Sequence, residues 1–173
     1  MEKPSLSKSS GFTHEKTHRG ETDTWLTPLP LIQKLGRFDL DPCGYPGHRT
    51  ASTLVCSPDD GLGTAWFNRV WLNPPYGPAT GRWLMRLASH AELGGTGIAL
   101  VFARTDTKWF QAIADQADAF LFMAGRVRFL RPDGAPADCA AAPSVLIAFG
   151  RSEARVLKAC GIPGVFFNTA KRP

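Results

Sequence analysis

The chain has 173 residues, 43% of them hydrophobic and 20% charged, which is one domain's worth of sequence with enough apolar side chains for a core and too many for a disordered chain. Twenty Lys and Arg against 15 Asp and Glu leave a formal net charge of +5. Arg supplies 13 of those 20 cations, so the excess favours an anionic partner and the forked guanidinium suits phosphate and base edges.

No run of 18 apolar residues occurs, and MEKPSLSKSS at the start lacks an apolar stretch behind its charges. Neither a membrane span nor a secretory signal is expected. Cys43, Cys56, Cys139 and Cys160 form no CxxC pair and read as reduced thiols of a cytoplasmic protein. A zinc site from Cys43, His48 and Cys56 fits no standard ligand spacing, and His14, His18, His48 and His90 form no helical ligand pair. No metal is expected. GxxxxGK[ST] and a hydrolase nucleophile elbow are both missing.

In chain order, residues 1–22 are polar and aperiodic, a loose tail, and 23–173 form a single domain. Thr27-Pro28 starts a helix with Leu29, Ile32 and Leu35 inward, ending at Gly36. Phe38 and Leu40 alternate with Asp39 and Asp41 in a short strand closed by Pro42. A loop follows, then a weak strand at 51–56, a turn at 57–61 and a third strand at 70–72 ended by Asn73-Pro-Pro-Tyr-Gly77. Helical periodicity runs from Thr80 to Leu93, and 98–102 is a fully apolar strand. A helix at 109–117, strands at 119–123 and 125–131, a loop at 133–143, a strand at 145–149, a helix at 152–159 and a strand at 165–167 complete the pattern. Helices alternating with strands apolar on both faces predict an α/β fold of three layers around a largely parallel sheet. Ligands in such sheets sit beyond the carboxyl ends of strands, where Asp41-Pro-Cys-Gly44 and Asn73-Pro-Pro-Tyr76 both fall.

Asn-Pro-Pro-Tyr carries the strongest chemical signal. Consecutive prolines fix two φ angles and remove two N–H donors, giving a stiff step whose carbonyls point outward. The Asn73 side-chain oxygen and the Pro74 carbonyl can each accept one N–H of an exocyclic amine while Tyr76 stacks on its ring. Acceptors aimed at both protons favour a more tetrahedral nitrogen with a localised lone pair, a preference that belongs to the transition state. The bland alternative is a rigid turn with a surface tyrosine.

These residues sit among others that together carry a family resemblance. Trp25 with Thr27-Pro28, FDLDPC at 38–43, Asp60-Gly61-Leu62 before Trp66, NPPYG at 73–77, ARTDTKWF at 103–110, GRVRF at 125–129 and APSVLIAF at 142–149 resemble the small phage-type DNA N6-adenine methyltransferases. The resemblance implies a Rossmann-like methyltransferase fold and methyl transfer from S-adenosylmethionine to adenine N6 in double-stranded DNA, by base flipping and direct in-line attack. It also implies Asn73, Pro74 and Tyr76 as catalytic residues, with Pro75 beside the base. The donor would lie against Asp41, Cys43, Gly44 and Asp60, with Gly44 and Gly47 allowing close approach; Asp41 as a cap of the following turn and Asp60 in a plain Asp-Gly turn are the competing readings. The chain departs from the wider amino-methyltransferase pattern in having no compact FxGxG run.

Arg104 and Lys108, at the end of the 98–102 strand, would meet phosphate or the loop over the base, unless Arg104 and Asp106 form a structural brace. Alternation puts Arg126 and Arg128 on one face toward DNA and Val127 and Phe129 on the other, unless the arginines form a solvated edge. Other planar amines (cytosine N4, an RNA base, a protein glutamine) and an inactive nucleic-acid-binding protein of the same fold remain alternatives. The oligomeric state is open, a monomer being favoured.

Overall fold

Pro28 and Pro30 set the first turn of α1 (Leu29–Leu35), which stops at Gly36, where φ is +91° and a side chain would be strained. The expected Thr27 cap does not form: Pro28 is the N-cap residue and the Thr27 hydroxyl is buried without a hydrogen-bond partner. Ile32 and Leu35 face the core, whereas Leu29 stands exposed on the open first turn. The computed structural model describes residues 24–56 and 58–169; the tail expected at 1–22 lies outside them.

The remaining elements are β1 (Leu40–Asp41), β2 (Thr53–Leu54), α2 (Pro58–Gly63), β3 (Arg69–Leu72), α3 (Thr80–Glu92), β4 (Thr96–Phe102), α4 (Lys108–Ala114), β5 (Ala119–Met123), β6 (Arg128–Leu130), β7 (Pro136–Cys139), β8 (Ser144–Phe149), α5 (Arg151–Ala159) and β9 (Gly164–Asn168). Two expectations change. The turn expected at 57–61 is the short helix α2, closed by Thr64 donating to the Asp60 carbonyl and Trp66 Nε1 donating to the Gly61 carbonyl at 2.8 Å. A side chain at Gly61 would collide with the Pro42 carbonyl and the Trp83 ring, so glycine lets the helix sit against the loop after β1. The loop expected at 133–143 contains β7, which pairs antiparallel with β6.

Seven strands form one sheet in the order β2-β1-β3-β4-β8-β5-β9. The sheet is mixed rather than largely parallel. β2, β1, β3 and β4 run parallel, whereas β8 is antiparallel to both β4 and β5, and β9 is antiparallel to β5. The reason lies in the connections. Parallel neighbours need a crossover, usually a helix; between β5 and β8 the chain makes only the β6–β7 hairpin, so β8 enters from the opposite end.

The three layers are present. Ile32 and Leu35 of α1, Ala154 and Leu157 of α5, and Val127, Phe129 and Ala137 of the hairpin region pack on one face of the sheet. Trp83, Leu84 and Leu87 of α3 and Phe110 and Ile113 of α4 pack on the other. Trp66, Trp71 and Trp83 are all core residues.

At the end of the sheet where β3 begins, Arg69 forms a buried ion pair with Glu153. Arg69 Nε donates to Oε1 at 2.9 Å and Nη2 to Oε2 at 2.7 Å. Nη1 donates to the Arg37 carbonyl at 2.6 Å and Nη2 to the Leu35 carbonyl at 2.8 Å, and the guanidinium lies 4.2 Å above the Phe38 ring. The Glu153 side chain is 3% exposed. Removing one partner of such a pair leaves an uncompensated buried charge. Arg69→Ala, which strands the buried Glu153 carboxylate, is expected to destabilise the fold by about 3–5 kcal/mol, read as a lower denaturation midpoint in urea.

Candidate active site

β3 delivers Asn73-Pro-Pro-Tyr to its carboxyl end, as expected. The step is pinned from behind: the Thr80 hydroxyl, at the start of α3, donates to the Pro75 carbonyl at 3.1 Å and accepts from the Gly77 N–H at 3.2 Å. The Asn73 amide is fixed at both ends. Its Nδ2 donates to the Trp25 carbonyl at 2.8 Å and its Oδ1 accepts from the Tyr76 hydroxyl at 3.2 Å. A carbonyl can only accept, so the Trp25 contact decides which end of the amide is nitrogen and turns the oxygen the other way. That oxygen has a second lone pair for another donor.

The Tyr76 ring stacks on Phe102 at 4.2 Å between centroids and 19° between planes, and meets Phe129 edge-on at 6.1 Å. Phe102 therefore takes one face of the ring. Burial pushes the Tyr76 phenol well above its ordinary pKa, which keeps it a hydrogen-bond donor at neutral pH.

Trp25, Leu26 and Thr27 form a strap that touches three parts of the site. The Trp25 carbonyl holds Asn73. Leu26 exchanges two backbone hydrogen bonds of 2.9 Å with Leu130 of β6. The Thr27 carbonyl accepts from His48 Nε2 at 2.7 Å.

Between the strap, the loop after β1 and the Pro-Pro step lies a cleft of about 340 Å³, lined by Thr24, Trp25, Leu26, residues 43–46, Cys56 and residues 73–76. Asn73, Pro74, Pro75, Tyr76, Cys43 and Gly44 thus meet in one cavity. Asp41 lies beneath the loop after β1, 4% exposed. Its Oδ1 accepts from the Cys43 N–H at 2.9 Å and its Oδ2 from the Thr50 hydroxyl, so it braces the loop from inside. Burial raises its pKa from 3.8 to about 6, against the lowering effect of those two hydrogen bonds. Burial, with the Asp41 charge adding to it, also pushes the Cys43 thiol upward. Gly44 makes its close approach to β2, since a Cβ there would stand 2.8 Å from the Leu54 Cβ.

Other expected residues stand outside the cleft. Asp60 is exposed on α2, its main-chain carbonyl accepting from Thr64. Arg104 and Lys108 are exposed at the carboxyl end of β4 and the start of α4, with the Arg104 guanidinium 6.0 Å from the Phe102 ring centre. Arg126 and Arg128 are exposed while Val127 and Phe129 are buried, so the alternation holds; Arg126 also donates to the Ala140 carbonyl at 3.2 Å. Sequence reasoning gave no site role to the Trp25 carbonyl, His48, Tyr45, Cys56 or Phe102. The first acts through a group every residue carries, and no residue pattern marks it.

A three-layer α/β protein with a mixed central sheet and a cleft at its parallel strand ends is consistent with a Rossmann-like methyltransferase architecture. Residues 14–158 match the DNA N-6-adenine-methyltransferase (Dam) family, and the chain belongs to that family; its activity is that of a nucleic-acid-modifying methyltransferase dependent on S-adenosylmethionine. No curated protein and no solved structure matches the chain significantly. Among the described residues, no helix is long and apolar enough to cross a membrane.

Asp41 makes the loop sensitive to pH. A carboxyl whose pKa is raised on folding favours the folded state most when protonated. Its contribution is fully present below 3.8 and is lost as pH rises through about 6. Urea titrations at pH 4 and pH 7 are expected to show a fall in stability that Asp41→Asn flattens, by an amount on the order of 3 kcal/mol for the shift.

Proposed function

We propose that the protein methylates N6 of adenine in double-stranded DNA, taking the target base out of the helix into the cleft between the strap and the Pro-Pro step, with residues 23–173 acting as one catalytic unit. The observation that carries this reading is the Asn73 amide, oriented by the Trp25 carbonyl at the wall of a cleft whose lining residues carry no charge.

Absence of charge there matters chemically. Tyr76 and Cys43 stay protonated at neutral pH, and Asp41 is sealed under the loop. Among the described residues, the lining holds no carboxylate, imidazole or ammonium group, which suits a reaction in which the substrate amine itself attacks and sheds its extra proton to solvent. What an aromatic amine needs is a pair of neutral acceptors. The Asn73 oxygen and the Pro74 carbonyl supply them, drawing the two N–H protons away from the ring plane and localising the lone pair. The prolines hold both acceptors without reorganisation, and Tyr76, backed by Phe102, presents a fixed aromatic surface to the base.

The cleft volume lies within the ~300–1,000 Å³ range of ligand pockets. Trp25 and Tyr45 offer aromatic faces to a purine, and the main chain of residues 43–46 offers polar groups. These residues fit S-adenosylmethionine, with Cys43 and Gly44 on its side of the cleft and Asp41 shaping the loop that holds it. When bound, it supplies an electrophilic methyl group. Pro75 flanks the base side, Arg104 and Lys108 stand where phosphate would pass beyond β4, and Arg126 and Arg128 offer a second phosphate contact from the hairpin edge.

Incubation with isotope-labelled donor and, separately, duplex DNA, RNA and protein tests the reading. Label on adenine of duplex DNA is expected; label on cytosine, RNA or protein alone would falsify it. Asn73→Ala should lower turnover by about 10²–10³, the scale for one preorganised transition-state hydrogen bond, with donor affinity nearly unchanged. Tyr76→Phe should keep most activity, because the Trp25 carbonyl still orients the amide, whereas Tyr76→Ala should lose stacking of about 1–3 kcal/mol per base.

Arg126 and Arg128 are tested separately. Replacing both should flatten the salt dependence of DNA binding, each lost phosphate contact reducing the log–log slope by about 0.9. An unchanged slope in a folded double mutant would assign the pair to a solvated edge.

A further inference from the structure

A side chain that the proposed chemistry does not use joins the strap to the loop after β1. His48 Nε2 lies 2.7 Å from the Thr27 carbonyl. A carbonyl only accepts, so the ring nitrogen facing it carries the hydrogen. Two residues back along the strap, the Trp25 carbonyl takes the Asn73 amide.

The loop is rigid on its own side of that contact. The His48 N–H donates to the Tyr45 carbonyl at 3.0 Å, and the two residues form an antiparallel bridge. The Thr50 N–H donates to the His48 carbonyl at 3.0 Å, and the Thr50 hydroxyl donates to Asp41. His48 is therefore the point where a braced loop is joined to the segment that orients Asn73. Without it, the loop is anchored through Asp41 and β1, and the strap through Leu130 and Asn73.

We infer that His48 is a positioning residue, one that sets the distance between the donor-side loop and the Asn73 amide by clamping the loop to the strap. The inference rests on the proposed function of the cleft, because a fixed spacing matters only if a donor on one wall must meet an amine on the other. Misplacement of about 1 Å between reacting groups costs up to 10²-fold in rate, and the His48–Thr27 hydrogen bond joins two segments whose neighbouring residues line the cleft. The contact is between elements rather than within one, so losing it shifts one wall against the other while each keeps its own fold.

The test uses the full chain, His48→Ala, and His48→Gln, whose side-chain amide can still donate to the Thr27 carbonyl. Affinity is read by calorimetry with S-adenosylhomocysteine, and turnover with saturating donor and duplex DNA. His48→Ala should weaken the probe about tenfold, the factor carried by one lost hydrogen bond. It should also lower saturated turnover about tenfold or more through misalignment. DNA affinity should stay unchanged, and His48→Gln should recover both quantities to within about threefold.

A His48→Ala protein that loses only melting temperature, with probe affinity and turnover intact, overturns the inference. So does a His48→Gln protein as impaired as the alanine variant. If wild type binds the probe yet leaves DNA unmethylated, the functional reading fails, and probe affinity across the three proteins still decides whether His48 clamps the loop.

Discussion

The Arg69 guanidinium and the Glu153 carboxylate, 84 positions apart in the chain, set the base from which the cleft is built. Arg69 begins β3, and four of its five guanidinium N–H groups are shared between Glu153 at the start of α5 and the carbonyls of Leu35 and Arg37 around the end of α1. Its main-chain N–H donates to the Asp39 carboxylate at 3.1 Å, beside the start of β1. One side chain thus satisfies helix-end carbonyls that would otherwise be orphaned and fixes where β1 and β3 enter the sheet. Register follows: Leu40 pairs with Val70, and Arg69 with Thr96.

Because β1, β3 and β4 run parallel, their carboxyl ends lie on the same side of the sheet. β1 ends in the Asp41 loop, β3 in the Asn73 step, and β4 in Phe102, which backs Tyr76. The strap then closes the space between them from outside the sheet, using main-chain carbonyls as acceptors. Main-chain groups suit this role, since their positions are set by backbone geometry and do not depend on rotamer choice. The hairpin joins the same unit through the Leu26–Leu130 bridge, so its exposed arginines are tied to the strap that holds the Asn73 amide.

How much of this was legible in the sequence follows from how local each signal is. The runs at 98–102 and 145–149 are apolar on both faces and could only be central strands. The Pro-Pro step after Val-Trp-Leu could only be a strand end, and the Arg126–Phe129 alternation survives intact. Strand direction was not legible, because antiparallel β8 is as apolar as parallel β4. Its neighbour β7 reads Pro-Ala-Asp-Cys, too short and mixed to show a period of two. The Arg69–Glu153 pair spans half the chain, and the Trp25 carbonyl is chemically the same as every other. Gly44 reads from the sequence as room for a ligand, whereas in three dimensions Leu54 fills that space.

Charge placement separates the working part of the cleft from its supports. The ion pair sits at the far end of the sheet, where its strong directional bonds fix topology. Asp41 is kept under the loop, where burial raises its pKa toward 6 and two donors hold it. Arg104, Arg126 and Arg128 stay exposed outside the cleft, where screening by salt leaves ion pairs weak as structural bonds. Among the described residues, the lining presents an amide, a proline carbonyl, aromatic rings and a Cys43 thiol that burial keeps protonated. A carboxylate in the place of Asn73 would lack the N–H that binds the Trp25 carbonyl and would set two acceptors against each other. A neutral amide avoids that conflict, because one end binds the strap and the other is left to receive a proton donor. The same bond that ties the strap to the sheet therefore also selects which atom of Asn73 is turned away from the strap.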